Sequence, residues 1–398
     1  MTYTQEKHSD NHLRLKVGLR VSIQESNGYE RVIIGNFDKN IELQRTGARK
    51  VISYLDGSKS VEEITALSGI SRSEVDSVIS ILHSNNFLDT RSGKIILTNR
   101  FHSSVPSIAE KAKRKNVESR DPALQLLHNR LTPELSEITW CDGVEDGGVE
   151  MISARQEFEV EIYGSSRIAV LLYGILLGSG VTNTHLGQQG IRDNLAISHR
   201  DIGATFLRVS DVGANFRVRL HELAKEFALF PLSSDEKKRY VKERTLKIFV
   251  GDPSKDELTT GTISKWMRDE IDFFLISTPQ GGGISWGPLV IPGKTPCLRC
   301  ISISREEQGD VSEYLDDVST HHEIASVSSA VGLKAPAHES SVASAHEISG
   351  RIAHALLGYI DGRDDSLIGS RTKFAYGESC NQEHITYSLH PRCGCSWK

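Results

Sequence analysis

The chain has 398 residues, 38% of them apolar and 25% charged, with 47 Lys+Arg against 52 Asp+Glu and a net charge of −5. This is globular composition, which excludes collagen-like, disordered and disulfide-scaffold chains. Near-neutrality excludes a global field that would draw the chain to nucleic acid or anionic membrane. The longest apolar stretch, Ile168 to Gly178, is far shorter than the roughly 20 residues of a spanning helix. The polar N-terminus has no signal-peptide core. A soluble cytoplasmic protein of two or three domains is expected.

Two alternating runs, Leu13–Ile23 and Tyr29–Phe37, flank Ser26-Asn27-Gly28 and predict an opening β-hairpin. Helical spacing of Ile41, Ala48, Val51, Ile52 and Leu55 predicts a helix over 41–57. Ser60 with Glu63 and Ser71 with Glu74 then carry the capping-box spacing of two short helices turned at Gly69. Phe87, Leu88 and Lys94–Thr98 read as a small β-wing. Together these predict a winged helix-turn-helix domain over residues 1–100. Residues 101–155, with their serines and prolines, a basic run from Lys111 to Lys115 and an acidic glycine-rich end, read as a linker with one or two short helices.

From 156 to 398 the pattern is α/β and doubly wound. Arg167–Gly174 is read as a buried parallel strand, Gly178–Gln189 as a helix, Asn194–Ser198 as a second strand and Val212–Phe227 as a second helix. Leu246–Gly251 and Phe273–Thr278 are further strands around a helix over 263–272, and Ser340–Asp361 is a long amphipathic helix. Gly174, Gly178 and Gly180 stand where a dinucleotide fold places its phosphate loop, but Leu176 replaces the second glycine. No carboxylate ends the second strand, although Asp201 is near. Glycines serving helix–sheet packing fit this better than a working nucleotide site.

Cysteine placement carries the strongest chemistry. Cys297 and Cys300 form C-x-x-C after the Pro292-Gly293 turn, and Cys393 and Cys395 form C-x-C around Gly394. Two close pairs supply four thiolates for a structural zinc with no open catalytic position, the alternative being four free thiols. His390 is a substitute ligand the four cysteines do not need. Cys141 and Cys380 read as inert thiols, and His338, His346 and His354, eight apart, drift around their helix. Gly281-Gly282-Gly283 is either an active-site loop or a plain turn.

The helix after Ser71 carries Arg72 against Glu74 and Asp76, which opposes a DNA-reading role. A hairpin edge beside an apolar helix instead suits capture of an extended peptide as an added strand. The expected cleft lies between the strand holding Arg31, Val32, Ile33, Ile34 and Gly35 and the helix face of Val75, Val78, Ile79 and Leu82.

The order of hairpin and winged helix, linker, degenerate glycine loop, G-P-L-V-x-P-G-x-T-P-C-L-x-C, long helix and terminal H-P-x-C-x-C covers nearly the whole chain. It resembles the ocin-ThiF-like leader-peptide-binding proteins that partner YcaO cyclodehydratases in making thiazole and oxazole peptides. The N-terminal part resembles the RiPP recognition element. The resemblance implies that the first domain binds a precursor's leader, that the ThiF-like body docks a separate ATP-using YcaO enzyme, and that Cys297, Cys300, Cys393 and Cys395 hold zinc. Active ThiF-type adenylating enzymes also use a ribose-binding acid, an Arg-Gln pair and a lysine. Here Arg200 precedes Asp201 and the acid and second glycine are missing, which favours a non-catalytic subunit without ATP. An adenylating enzyme acting on a peptide carboxylate is the first alternative and a winged-helix transcriptional regulator the second. Nucleic acid and membrane are not expected partners, and homodimer formation stays open.

Overall fold

The computed structural model describes residues 12–26, 29–44, 47–91, 122–187, 196–230, 244–251, 261–279, 282–309, 339–376 and 382–395. The Asn27-Gly28 turn, the wing strand Lys94–Thr98, the basic run Lys111–Lys115, Gly281, His338 and Cys380 lie outside them. The chain forms two compact units, 1–154 and 155–398.

In the first unit, β1 (Arg14–Leu15) pairs with β5 (Leu88–Asp89). β2 (Arg20–Ser26), β3 (Tyr29–Gly35) and β4 (Asn40–Leu43) form an antiparallel sheet with β3 in the centre. Helices α1 (Ala48–Ser53), α2 (Val61–Ser68) and α3 (Arg72–Ser84) follow. The capping box of α2 is formed, with Glu63 N–H donating to Ser60 Oγ at 3.2 Å and Ser60 N–H to Glu63 Oε2 at 2.8 Å. Two expectations are corrected. The run Leu13–Ile23 is broken at Gly18, whose φ of +92° ends β1 before β2 begins. The helix expected from Ile41 starts only at Ala48, because the Asn36 side chain accepts N–H bonds from Asp38 and Lys39 and turns the chain back along β3.

Residues 122–154, expected as part of a linker, fold onto this unit through α4 (Pro122–Ile138) and α5 (Val149–Ala154). The Trp140 indole N–H donates to Val17 O at 3.1 Å and its ring meets Phe87 edge-on. The buried Lys16 ammonium donates to Asn86 Oδ1, Thr139 O and Val144 O at 2.7–2.8 Å.

The second unit is built on a seven-stranded sheet in the order β12-β11-β10-β9-β8-β6-β7. Its strands are β6 (Glu159–Tyr163), β7 (Asn183–Leu186), β8 (Thr245–Val250), β9 (Asp272–Ile276), β10 (Gly283–Val290), β11 (Ser370–Ala375) and β12 (Gln382–Thr386). β7, β6, β8 and β9 are parallel, whereas β10, β11 and β12 run antiparallel to their neighbours, so the sheet is mixed. Its helices are α6 (Arg167–Gly178), α7 (Phe216–Phe227), α8 (Thr262–Arg268), α9 (Leu298–Glu307) and α10 (Val342–Ile360).

The apolar run expected as the first parallel strand is therefore helix α6, capped by Ser166 Oγ accepting Ala169 N–H at 3.3 Å. Periodicity cannot separate a buried strand from a helix that is apolar all round. Here α6 packs against both the sheet and α10, and Ile168, Leu172, Leu176 and Leu177 share one core with Val160, Ile162 and Ile352. The true first strand is the shorter β6. The helix expected over 178–189 gives way to β7, and the described part of 194–198 forms only a bridge, Ala196 to Asn215. No helix among the described residues is long and apolar enough to cross a membrane.

Candidate metal centre and candidate ligand sites

The turn Ile291–Thr295 closes β10 with Lys294 and Thr295 N–H donating to Ile291 O, and leads to Cys297, the N-cap of α9. Cys300 sits in the first helical turn. At the C-terminal end, Gly394 adopts φ +75°, which lets Cys393 and Cys395 face the same point. All four sulfurs lie within 4.8 Å of one another. The Cys297–Cys300 separation is 3.8 Å, and Cys297–Cys393 and Cys300–Cys395 are each 3.4 Å.

Four thiolates at 2.3 Å from a tetrahedral zinc stand about 3.8 Å apart, whereas a disulfide brings its sulfurs to about 2.05 Å. The cluster fits the metal and not a bond. Cys297 and Cys300 are buried, and Trp266, Phe273 and Val290 belong to the same apolar cluster. Burial pushes the Cys297 thiol up and the Cys395 thiol up to about 11. Burial acts upward on Cys300 as well, but N–H donation from the backbone, His390 included, leaves it below the usual thiol value. A divalent cation would supply the charge that four thiolates in an apolar surround lack. His390 is not a fifth ligand, since Nε2 meets Glu307 Oε2 at 3.1 Å and Nδ1 accepts Arg392 N–H at 3.2 Å.

The glycines expected at the nucleotide loop lie elsewhere. Gly174 and Gly178 are inside α6 and Gly180 just after it. A Cβ on Gly174 would stand 2.5 Å from the Phe206 ring, so this glycine serves packing. The strand-to-helix turn is Tyr163-Gly164-Ser165-Ser166, with one glycine in place of three. At Gly164 a Cβ would lie 2.9 Å from Val250 Cβ and 3.0 Å from Val250 O. Two of the first three amides of α6 have acceptors: Arg167 N–H donates to the Glu339 carboxylate at 3.3 Å and Ala169 N–H to Ser166 Oγ. The Arg167 guanidinium donates to Ser340 O at 2.7 Å. Asp201, the acid near the second strand, accepts Ser198 N–H and Oγ–H at 2.8 Å and caps its own turn. Glu339 is the residue the sequence reading missed, because 172 positions separate it from Arg167.

In the first unit, the strand expected to accept a peptide lies between two others. β3, holding Arg31, Val32, Ile33, Ile34 and Gly35, pairs with β2 along its whole length and with β4 from Val32 to Gly35, which places it in the middle of the sheet. Val32 and Ile34 from β3 and Val75, Val78 and Leu82 from α3 are buried in one core, while Ile79 is half-buried at its margin. Arg31 pairs with Glu42 of β4 on the outer face. Among the described residues, the outer edges of β2 and β4 are the unpaired ones in this sheet. The histidines of α10, His346 and His354, are exposed.

No family model and no curated protein matches the chain. Solved structures do. E. coli MccB with MccA-N7isoASN matches with a TM-score of 0.59 and 14% identity, over 98% of this chain and 100% of that one. E. coli MccB with ATP matches with a TM-score of 0.58 and 13% identity over the same shares. The microcin C7 biosynthetic enzyme MccB with N-formylated MccA matches with 0.58 and 14%, over 96% and 99%. The chain thus has the mixed α/β fold of MccB along nearly its whole length, with a four-cysteine cluster able to bind a metal ion.

Proposed function

We propose that this protein captures the leader of a ribosomally made precursor peptide and presents its core to a separate YcaO-type, ATP-dependent cyclodehydratase that forms thiazoles and oxazoles. The ThiF-like body serves as scaffold and holds a structural zinc on Cys297, Cys300, Cys393 and Cys395. The observation that carries the scaffold reading is the Glu339 carboxylate on the first amide of α6. Helix N-termini hold phosphates through such amides. A carboxylate already there opposes a triphosphate by occupancy and by charge.

The leader's place is β4, not β3. An added strand needs a free edge, and Ile41 on β4 and Ile79 on α3 are half-covered members of the same core. The second reading, an adenylating enzyme acting on the peptide itself, draws on the likeness to MccB, which has been solved with ATP and with AMPCPP plus MccA.

One experiment separates them. Purified protein is titrated with candidate leader peptides while ATP turnover and pyrophosphate exchange are followed in the same tube, and hydrogen exchange maps the bound state. The scaffold reading expects binding without turnover until a YcaO enzyme is added, with new protection over residues 40–43. Turnover by this chain alone overturns it. Protection confined to β2 overturns the β4 placement while leaving the function standing.

A further inference from the structure

His390 gathers the second cysteine pair. Its backbone N–H donates to Cys300 Sγ at 3.4 Å and its carbonyl accepts Cys393 N–H at 3.0 Å. Its ring Nδ1 accepts Arg392 N–H at 3.2 Å, so Nε2 carries the proton in the neutral ring and donates to Glu307 Oε2 at 3.1 Å. The other Glu307 oxygen accepts from the Arg392 guanidinium. Glu307 is the last residue of α9, the helix that opens with Cys297 and carries Cys300. The His390 side chain is only 10% exposed and the Glu307 side chain 51%. One carboxylate at the far end of the first pair's helix thus grips both residues that shape the turn of the second pair.

We infer that Glu307 is a positioning residue for the metal site: through His390 and Arg392 it holds the Cys393–Cys395 turn against α9 and so sets how slowly a bound metal is released. This rests on the reading of the four thiols as metal ligands. None of the three is among the four candidate thiol ligands. Partners of this kind outside the ligand set change metal affinity by about 10–100-fold when removed. A cluster closed by residues 93 to 98 positions apart in sequence has particular need of one, since nothing local in the chain keeps the two cysteine pairs together.

The test uses the full chain loaded with zinc, and in parallel with cobalt, as wild type, Glu307→Ala, Glu307→Gln, Glu307→Met and His390→Ala. Metal content is measured, then the rate of zinc transfer to a chromophoric chelator and the intensity of the cobalt d–d bands. About one equivalent is expected in wild type. Glu307→Ala and His390→Ala should release zinc about 10–100-fold faster, with altered cobalt bands. Glu307→Gln keeps an oxygen that accepts from Nε2–H and should recover most of the wild-type rate. Glu307→Met, of similar size but with no oxygen to accept from Nε2–H, should release zinc as fast as Glu307→Ala; a Met variant as slow as wild type would reduce Glu307 to surface cover and overturn the positioning role. Glu307→Ala that releases zinc within twofold of a fully loaded wild type overturns the positioning role alone. Wild type holding less than about half an equivalent of either metal overturns the metal reading and the inference with it.

Discussion

Replacing Asp361 by Asn tests the packing of the second unit at a fully buried ion pair. Arg155 Nε and Nη2 each donate to the Asp361 carboxylate at 2.8 Å, and Nη1 donates to Ser179 O at 2.7 Å. The side chains are 3% and 0% exposed. The pair ties the residue that opens the unit to the residue after α6 and the C-cap of α10. The Asp361→Asn side chain would fill the same volume with no charge, removing the carboxylate that two guanidinium nitrogens of the buried Arg155 share, which costs about 3–5 kcal/mol. For a unit of roughly 240 residues, at about 2.1 cal/mol/K of unfolding entropy per residue, that lowers Tm by roughly 6–10 °C. Arg155→Met should cost less, because Asp361 keeps Arg363 at 3.0 Å. Urea unfolding followed by fluorescence reads this unit through Trp266 and Trp286, both buried, with metal held constant. A loss below about 1 kcal/mol for Asp361→Asn would falsify the claim that this pair is a dry, obligatory contact.

Three further outcomes are expected. Gly164→Ala should destabilise the second unit by about 1–3 kcal/mol, since the new Cβ meets Val250 and the backbone there holds φ +155°; an unchanged Tm would count against the close strand-to-helix turn. Burial raises the Asp272 carboxyl, which accepts from Tyr359 Oη at 2.9 Å, so its contribution to stability is present below the unfolded carboxylate pKa and is lost as pH rises through the higher folded one. Asp272→Asn should therefore be more stable than wild type at pH 7, with the gain shrinking on acidification; a gain independent of pH would refute this. Lys16→Met should cost about 2–4 kcal/mol and red-shift Trp140 fluorescence, because three buried or half-buried acceptors lose their donor; an unshifted spectrum would show residues 139–144 held by other contacts.

Much of the local structure was legible because it is set by near neighbours. The Ser60 and Ser71 caps, α7, β8, α8, β9 and α10 all follow from side chains within one turn or one strand of where they act. The four cysteines were legible as well, since two tight pairs of thiols are a chemical pattern whatever the fold between them. The segment 167–178 was not. A run apolar on all sides says only that it is buried, and whether it is strand or helix depends on the sheet and the helix α10 that pack against it. The strand 40–43 was lost for the opposite reason, its two apolar residues fitting either period until the turn at Asn36 decided.

What the sequence determined by itself is therefore the chemistry: a near-neutral charge balance, a degenerate glycine pattern and four thiols in two pairs. The tertiary structure decided which backbone groups remain available for that chemistry. It sets β3 in the middle of its sheet with β2 and β4 at the edges, and it places Glu339 on the first amide of α6 and Glu307 against His390. Strand pairing and contacts between residues 80 or 170 positions apart depend on how the chain closes on itself, and spacing along the sequence carries no record of that closure.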